Sequence, residues 1–332
     1  MKQLAIIGAG AWGTALSSVL SPRFEAVRLW VYEADLADRM VVSRVNDVYL
    51  PGFPLAPNIL PTHNLETAVS GADVVLSVMP SPVVRGLYTQ IAGLVGPGVP
   101  LVSATKGLEA GSLLRLSQVI AETSGHATRV AVLSGPSFAR EVAAGSPTAL
   151  VVAAQDADLA RELQAAFSGP TFRVYASTDL PGVEIGGALK NVIAIGAGIC
   201  DGLHLGHNAT AALITRGLAE LTRLAVALGG KPETLAGLAG LGDLVLTCTG
   251  DLSRNRQVGL KLASGLTLSG ILSSTTAVAE GVKTTAVARE LAERHKVEMP
   301  IVEEMHAVLN SSRQPAEAIR RLMSRSLRSE SF

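Results

Sequence analysis

The residue most able to carry acid–base chemistry in this chain is a lysine among small, uncharged neighbours. Lys190 lies in EIGGALKNVIAIGAGIC, residues 184–200, where Glu184 is the only other charged residue. On a helix, Lys190 would share its face with Gly186, Gly187, Ala194 and Ala197. A ligand or another backbone could approach so bare a face, and this pattern favours a proton-transferring amine. The alternative is a lysine that reaches solvent at the edge of a domain.

Other parts of the chain supply a second candidate lysine and a candidate anion site. Lys106 directly follows the apolar run 100–105, where an open α/β sheet binds its ligand. The alternative is a loop lysine that is simply solvated. In SRNR, residues 253–256, Ser253 would cap a helix whose first turn contains Arg254. A basic residue is unfavourable at the positive end of a helix dipole unless an anion binds there. The alternative is a surface helix with exposed arginines.

The motif GAGAWG, residues 8–13, has the glycine spacing of a dinucleotide-binding turn. Gly8 would allow the sharp turn, Gly10 the approach of backbone to a pyrophosphate, and Gly13 the close packing of helix on sheet. A glycine bend can also serve tight packing alone. The context favours a dinucleotide, because a second apolar run, 27–32, follows and leads directly to the acidic Glu33.

The end of that second run bears on the choice of coenzyme. The sequence LWVYEAD places Tyr32, Glu33 and Asp35 beside the expected adenosine ribose, and the next cation is Arg39. Carboxylates at this position accept a hydrogen bond from a 2′-hydroxyl and repel a 2′-phosphate. We therefore expect NAD or NADP as cofactor, with NAD favoured, unless a helix returns Arg39 to the ribose. The alternative is that the acidic residues belong to a solvated loop.

The elements that must position these residues change character near residue 180. Apolar runs without polar alternation, typical of strands buried on both faces, occur at 3–8, 27–32, 73–79, 100–105, 130–135 and 148–154. Helix-like stretches such as 11–20 and 112–123 separate several of them. After residue 180 the pattern is helical, at 181–201, 208–228, 254–264, 284–295 and 300–310. We predict an α/β chain with an N-terminal Rossmann-like, doubly wound parallel sheet in domain 1–178 and an all-helical C-terminal domain in 179–332.

Composition excludes several classes of protein. Lys and Arg total 28 and Asp and Glu total 28, so a general nucleic-acid or anionic-membrane surface is not expected. Cys200 and Cys248 are the only cysteines and have no metal-ligand spacing, so we expect no metal and a reducing cytoplasm. No segment reaches the roughly 18 apolar residues that are needed to cross a bilayer, so no membrane insertion is expected. The expected partner is a small-molecule substrate, and a homodimer is left open.

Eight motifs together resemble the NAD(P)-dependent glycerol-3-phosphate dehydrogenase family. They run in the family's order over nearly the whole chain: GAGAWGTAL (8–16), ATKGLE (104–109), LSGPSFAREV (133–142), ALKNVIAIGAGICDGL (188–203), GLGDLVLTC (240–248), SRNRQVG (253–259), and AEGVKT with VEMPI (279–284, 297–301). One departure concerns Tyr32 and Glu33, because bacterial members often carry Arg after the LW of the second strand and tend to use NADP.

The resemblance implies a reaction and a set of site residues. The reaction is reversible hydride transfer between NAD(P)H and dihydroxyacetone phosphate, which gives sn-glycerol 3-phosphate for glycerophospholipid synthesis. Lys190 would be the general acid/base. The implied substrate contacts are Lys106, Gly135, Ser137, Lys190, Asp243, Ser253, Arg254 and Asn255. The implied cofactor contacts are Gly8, Gly10, Ala11, Trp12, Gly13, Tyr32, Lys106, Ala139, Arg254, Val278 and Glu280.

The chemistry of this reaction assigns roles to three charged residues. Asp243 is the candidate to hold Lys190, and Lys106 would lower the pKa of Lys190 and stabilise developing alkoxide charge. Arg254 and the adjacent helix N-terminus would bind the substrate phosphate. Two rival functions are a dehydrogenase for another hydroxy acid or phosphosugar, which would not need this phosphate clamp, and a non-enzymatic dinucleotide sensor, which would not need Lys190.

Overall fold

The computed structural model describes residues 1–125, 129–273, 280–311, 313–327 and 329–330. The chain divides into two compact units, and each is described by itself. The first unit comprises Met1–Thr105 and Leu114–Leu180, and the second comprises Lys106–Leu113 and Pro181–Phe332. The prediction placed a single domain boundary after residue 178. In the structure, the short segment 106–113 also belongs to the second unit. Its side chains Leu108 and Leu113 are buried in the core of that unit.

The first unit is built on one mixed sheet. The strands are β1 Gln3–Ile7, β2 Ala26–Trp30, β3 Ile59–Thr62, β4 Val74–Ser77, β5 Leu101–Ser103, β6 Val130–Ser134, β7 Thr148–Ala154 and β8 Phe172–Ser177. Across the residues the structure describes, these eight strands are arranged in the order β3-β2-β1-β4-β5-β6-β7-β8. Neighbouring strands are parallel except β6 and β7, which are antiparallel. The predicted runs overlap six of these strands, and β3 and β8 were not predicted.

Helices cover both faces of the sheet, which explains the unbroken apolar runs. In β1, Leu4 and Ile6 enter one buried cluster, whereas Ala5 and Ile7 enter another. Alternate side chains of a strand point to opposite faces, so both faces of this central strand are dry. The helices of this unit are α1 Ala11–Leu20, α2 Ala34–Ser43, α3 Leu65–Val69, α4 Val84–Ile91, α5 Leu116–Ser124, α6 Ala139–Ala143 and α7 Ala157–Phe167.

The second unit is helical in all its described regular elements. Its helices are α8 Leu180–Gly202, α9 Gly206–Ala227, α10 Pro232–Leu235, α11 Asp243–Thr249, α12 Arg254–Ala263, α13 Leu268–Ser273, α14 Glu280–His295, α15 Pro300–Asn310 and α16 Pro315–Met323. A π-helical turn, Leu238–Gly242, leads into α11. The single core of this unit surrounds α8, and the free cysteines Cys200 and Cys248 are both buried in it.

Helix α8 corrects the expectation that no segment could span a membrane. Its 23 residues, with a mean hydropathy of 1.4 over the most apolar window, are long and apolar enough by composition. However, 94% of that window is buried inside the protein, which is the environment of a core helix. The helix is apolar over most of its surface because other helices pack around it.

Small residues let α12 pack against α8 at backbone contact. A Cβ atom on Gly198 would lie 1.9 Å from the carbonyl oxygen of Arg256, and one on Gly259 would lie 2.0 Å from the carbonyl oxygen of Ile195. Both distances are far below a van der Waals contact, so only glycine fits at either position. The glycine-rich face of α8 therefore positions a neighbouring helix beside the turn that carries Lys190.

Candidate active site

Three charged side chains form the centre of a buried cluster in the second unit. Lys190 and Asp243 are 6% and 0% exposed, and the Nζ of Lys190 donates to Oδ1 of Asp243. The other carboxylate oxygen, Oδ2, accepts from Nζ of Lys106 at 2.7 Å. Lys190 also donates to Oγ1 of Thr247 at 2.8 Å. One carboxylate thus serves two ammonium groups, and the cluster carries a net positive charge when both lysines are protonated.

The π-helical turn before α11 sets the position of Asp243. Gly240 lies so close to the preceding helix that a Cβ would be 2.1 Å from the carbonyl oxygen of Leu235. One turn after Asp243, the hydroxyl of Thr247 donates to the Asp243 carbonyl oxygen at 2.6 Å. Single π turns occur often at functional sites because they re-aim side chains that a regular helix would place elsewhere. Here the turn aims the carboxylate at Lys190.

The electrostatic environment shifts the pKa of Lys190 toward neutral pH. Burial lowers the pKa of Lys190 to about 7, against the opposing attraction of Asp243. The charge of Lys106 lowers this pKa further. A general acid or base is most effective when its pKa lies near the working pH. The cluster can therefore give a proton to an oxygen atom and take it back.

The first turn of α12 contains two arginines in different environments. Arg254 is exposed to solvent, whereas Arg256 forms ion pairs within the second unit. The hydroxyl of Ser253 accepts from the N–H of Arg256 at 3.3 Å, so Ser253 is the N-cap, as predicted. Arg256 donates to Asp201 at 2.8 Å and to Asp251 at 3.0 Å. Arg254, by contrast, is exposed at the first position of the helix. An anion placed there would meet both its guanidinium and the positive end of the helix dipole.

Asn255 joins three elements of the second unit. Its Nδ2 donates to Oδ1 of Asn191 at 2.9 Å, and its Oδ1 accepts from the N–H of Gly281 at 3.0 Å. Through these bonds, α12 is tied to the residue after Lys190 and to the start of α14. Glu280, the first residue of α14, interacts electrostatically with Arg254. The predicted cofactor contact Val278 lies outside the described residues.

In the first unit, the glycine loop has the geometry its spacing predicts. Gly8 has φ of +111°, and a Cβ there would lie 2.1 Å from the carbonyl oxygen of Val78. A Cβ on Gly13 would lie 1.8 Å from the carbonyl oxygen of Gly8. A Cβ on Gly10 would meet nothing within 4 Å, so the open side of the loop is at Gly10. The backbone is therefore closely packed at Gly8 and Gly13 and open at Gly10.

These features fit the pyrophosphate of a dinucleotide. Helix α1 begins at Ala11 directly after Gly10, and no side chain caps it, so the N–H groups of its first turn are available to an anion. The indole Nε1 of Trp12 is buried and has no hydrogen-bond partner among the residues that the structure describes. A buried donor without a partner is costly to leave unsatisfied. At the end of β2, Tyr32 is 79% exposed and has room for a neighbouring ring.

Three further predicted contacts lie together after β6, also in the first unit. Gly135 has φ of +139°, and a Cβ there would lie 2.8 Å from the side chain of Leu150. The hydroxyl of Ser137 donates to the carbonyl oxygen of Gly135 at 2.9 Å. Ala139 begins α6. The predicted site residues thus form a glycine-loop group and a β6 group in the first unit, and a lysine–aspartate group with the α12 N-terminus in the second.

Comparison with protein families gives the same assignment for both units. The model for the NAD-dependent glycerol-3-phosphate dehydrogenase N-terminus matches residues 3–160, and the model for the C-terminus of that enzyme matches residues 179–320. The chain belongs to the NAD-dependent glycerol-3-phosphate dehydrogenase family.

Relatives of this family member match over almost their full length. The chain is 55% identical over 329 residues to glycerol-3-phosphate dehydrogenase [NAD(P)+] of Koribacter versatilis, with 98% of each chain covered. It is 53% identical over 331 residues to the enzyme of the same name from Geobacter sulfurreducens, with 99% of each covered. The crystal structure of glycerol-3-phosphate dehydrogenase from Coxiella burnetii superposes with a TM-score of 0.93 at 42% identity, covering 98% of this chain and 99% of that one.

The sequence analysis missed three residues that contact these groups. Thr247 accepts a hydrogen bond from Lys190, Asn191 accepts one from Asn255 on α12, and Asn46 is buried against the glycine loop. Only Thr247 left a usable signal, since it lies one helical turn after Asp243 and shares its face. The uncharged amides had no signal, because their partners are distant in sequence.

Proposed function

We propose that this chain reduces dihydroxyacetone phosphate reversibly to sn-glycerol 3-phosphate, with NADH or NADPH as the reductant and Lys190 as the general acid/base. The observation that carries the proposal is the buried cluster in which Asp243 holds both Lys190 and Lys106. When bound, the nicotinamide supplies or accepts the hydride. The protein must then supply a proton to the carbonyl oxygen in one direction and remove it in the other.

Lys190 is suited to this proton transfer. An ammonium has three N–H groups, and Asp243 and Thr247 accept two of them. The third would donate to the substrate oxygen. Because the pKa of Lys190 is lowered to about 7, the proton leaves and returns without a large energetic penalty at neutral pH. Asp243 fixes the direction of the amine, since its carboxylate is fully buried and bonded on both oxygens.

We assign Lys106 a different role. It pairs with the other oxygen of the Asp243 carboxylate, at the more accessible edge of the cluster. Its side chain is 18% exposed, compared with 7% for Lys190. A cation at this edge would stabilise negative charge that develops on the substrate oxygen. It also keeps the pKa of Lys190 low. We therefore assign Lys106 to alkoxide stabilisation rather than to proton transfer.

The substrate phosphate would bind at the N-terminus of α12. Arg254 offers a charge-assisted, bidentate partner, and the first N–H groups of the ten-residue helix add the favourable end of its dipole. Because Arg256 is already engaged by two carboxylates, Arg254 is the arginine of this turn that we assign to the phosphate. This contact, remote from the reacting carbon, would position the carbonyl for transfer.

The glycine loop of the first unit would hold the coenzyme. Gly8, Gly10 and Gly13 with the start of α1 would bind the pyrophosphate, and Trp12 and Tyr32 would contact the rest of the dinucleotide. We further propose a cytoplasmic enzyme without membrane insertion, which supplies glycerol phosphate for glycerophospholipid synthesis. A homodimer is compatible with this assignment.

An assay with the purified chain tests the proposal directly. Oxidation of NADH should require dihydroxyacetone phosphate and should fall strongly when dihydroxyacetone without the phosphate replaces it. A dehydrogenase for another hydroxy acid would not depend on this phosphate. A dinucleotide sensor would bind NADH but oxidise none with any of these substrates. Either result would contradict the proposed function.

A further inference from the structure

The coenzyme ribose should lie at the end of β2, where acidic residues outnumber basic ones. Glu33 and Asp35 follow the strand, and Asp47 comes from the segment after α2. The cation among them is Arg39, on α2. In the first unit these four side chains carry a net charge of minus two. A coenzyme phosphate at this position would have to recruit Arg39 against three carboxylates.

Arg39 is held away from such a role by two carboxylates. Its NH1 donates to Asp35 at 2.8 Å, one helical turn earlier. Its Nε and NH2 donate to the two oxygens of Asp47 at 3.2 and 3.3 Å. An isolated surface ion pair has little effect, but a bidentate pair within a three-charge network is the geometry in which the effect is appreciable. The guanidinium uses both of its hydrogen-bonding edges.

Glu33 is also fixed, by a side chain from the same segment. The hydroxyl of Tyr49 donates to Oε1 of Glu33 at 2.7 Å. This bond leaves the other carboxylate oxygen of Glu33 available to accept from a ribose hydroxyl.

The segment that carries Asp47 and Tyr49 is anchored to the glycine loop. Asn46 is fully buried, and its Nδ2 donates to the carbonyl oxygen of Ala9 and to Oγ1 of Thr14, both at 2.8 Å. Its Oδ1 accepts from the N–H of Tyr49 at 3.0 Å. The loop that would bind pyrophosphate and the residues that set the charge at the ribose are therefore one hydrogen-bonded structure.

We propose that Asp47 and Tyr49 determine coenzyme specificity in this chain and make it select NADH over NADPH. Asp47 keeps Arg39 from a 2′-phosphate, and Tyr49 holds Glu33 ready for a 2′-hydroxyl. This inference rests on the proposed function, because it assumes that the glycine loop binds the dinucleotide. It makes Asp47 and Tyr49 positioning residues, which act through Arg39 and Glu33.

The ratio of kcat/KM for NADH to that for NADPH, with dihydroxyacetone phosphate, is the first test. The unchanged protein should favour NADH by about tenfold or more, which corresponds to about 1.4 kcal/mol.

Asp47→Asn should lower that ratio by about fivefold or more, because a freed Arg39 can meet the 2′-phosphate. The double variant Asp47→Asn with Arg39→Ala should lose the gain. Asp38→Asn, a matched loss of charge at an exposed position of α2, should leave the ratio within about twofold.

Binding of probes that lack nicotinamide gives a second test that needs no turnover. Calorimetry should show that ADP-ribose binds more tightly than its 2′-phosphorylated form, and that Asp47→Asn narrows the gap. Tyr49→Phe should weaken ADP-ribose binding by about three- to tenfold and leave the 2′-phosphorylated probe less affected, since a loosened Glu33 still repels phosphate.

Three results would overturn the inference: a preference of the unchanged protein for NADPH, an unchanged ratio in Asp47→Asn, or an equal effect of Asp38→Asn. Failure of the proposed function has a different signature. In that case dihydroxyacetone phosphate is not reduced with either coenzyme, while the two ADP-ribose probes still report the selectivity of the ribose site.

Discussion

Lys190 can be replaced without leaving an unpaired charge, because its partner Asp243 also pairs with Lys106. If Lys190 is removed, the carboxylate of Asp243 keeps its bond to Lys106, so no unpaired charge remains in the core. Variants at Lys190 can therefore be interpreted as losses of chemistry rather than of folding.

Lys190→Ala should lower kcat by about 10²- to 10⁴-fold, the usual contribution of a positioned proton donor. NADH affinity and the thermal unfolding midpoint should stay close to those of the unchanged protein. Steady-state kinetics and a fluorescence titration with NADH provide the two measurements. A kcat reduced only a few-fold would exclude Lys190 as the acid/base.

Lys106→Met should move the alkaline limit of ketone reduction to higher pH. Reduction uses the protonated lysine, and the charge of Lys106 is one cause of the lowered pKa of Lys190. Without that charge, Lys190 stays protonated to higher pH. A profile of kcat/KM against pH measures the shift, with Lys283→Met as the control for loss of an exposed lysine in the same unit. An unmoved alkaline limb would mean that another group controls it.

Arg254→Ala should raise the KM for dihydroxyacetone phosphate by about 10- to 150-fold, equivalent to roughly 1.5–3 kcal/mol for a charged hydrogen bond. The KM for dihydroxyacetone, which lacks the phosphate, serves as the internal control and should change little. Equal losses for both substrates would place Arg254 away from the phosphate.

At the scale of elements, the geometry of the proposed active site depends on how closely α12 approaches α8. The contact is made by backbone atoms at Gly198 and Gly259, and the Asn191–Asn255 bond continues it toward the site. Side chains can adjust to a small intrusion, but backbone carbonyls in a helix cannot. The spacing of the helices is therefore sensitive to a single methyl group.

Gly259→Ala should destabilise the protein by about 3 kcal/mol and lower kcat, because the new Cβ would lie 2.0 Å from the Ile195 carbonyl oxygen and force the two helices apart. Gly86→Ala is the matched control. Gly86 lies in α4, and a Cβ there would meet nothing within 4 Å, so helix propensity alone predicts a gain of up to about 1 kcal/mol. Thermal unfolding measures both. Similar midpoints for the two variants would contradict the close packing.

At the scale of the whole molecule, stability depends on pH through groups whose pKa changes on folding. Glu220 on α9 is 2% exposed, and it accepts from the N–H of Ile301 at 2.8 Å and of Val302 at 3.3 Å at the start of α15. Burial raises the pKa of Glu220 to about 7 despite these bonds. The folded state therefore binds this proton more tightly than the unfolded chain does.

The contribution of Glu220 to stability is complete below the unfolded pKa and is lost as the pH rises through about 7. The loss amounts to about 3 kcal/mol at most. Glu220→Gln keeps one acceptor for the helix and removes the titration. Urea unfolding gives the free energy of unfolding at about pH 5 and at about pH 7, a range in which the lowered pKa of Lys190 has little influence. The change in this free energy between the two pH values should be smaller for the variant than for the unchanged protein. Equal differences would mean that Glu220 stays ionised throughout.

Several features of this protein followed from the sequence because their physical causes are local. The glycine spacing at 8–13, between an apolar run and a helix-like stretch, predicts a tight turn at a helix start, and apolar runs without alternation predict burial on both faces. Ser253 could be predicted as an N-cap because a cap bonds within its own turn. The long apolar helix after residue 180 was predictable from composition, and so was its lone lysine.

Only the tertiary structure decided which charges meet. Lys106, Lys190 and Asp243 are far apart in sequence, and the segment 106–113 joins the second unit because Leu108 and Leu113 find their apolar contacts there. The antiparallel direction of β7 departs from the predicted parallel sheet, and β8 was not predicted, because strand direction and strand order depend on long-range contacts. Arg39 could be read from the sequence as free to reach the ribose. Its bonds to Asp35 and Asp47 depend on a segment that is positioned by the burial of Asn46 against the glycine loop. Local patterns determine what each residue can do, whereas burial and distant partners decide what it does.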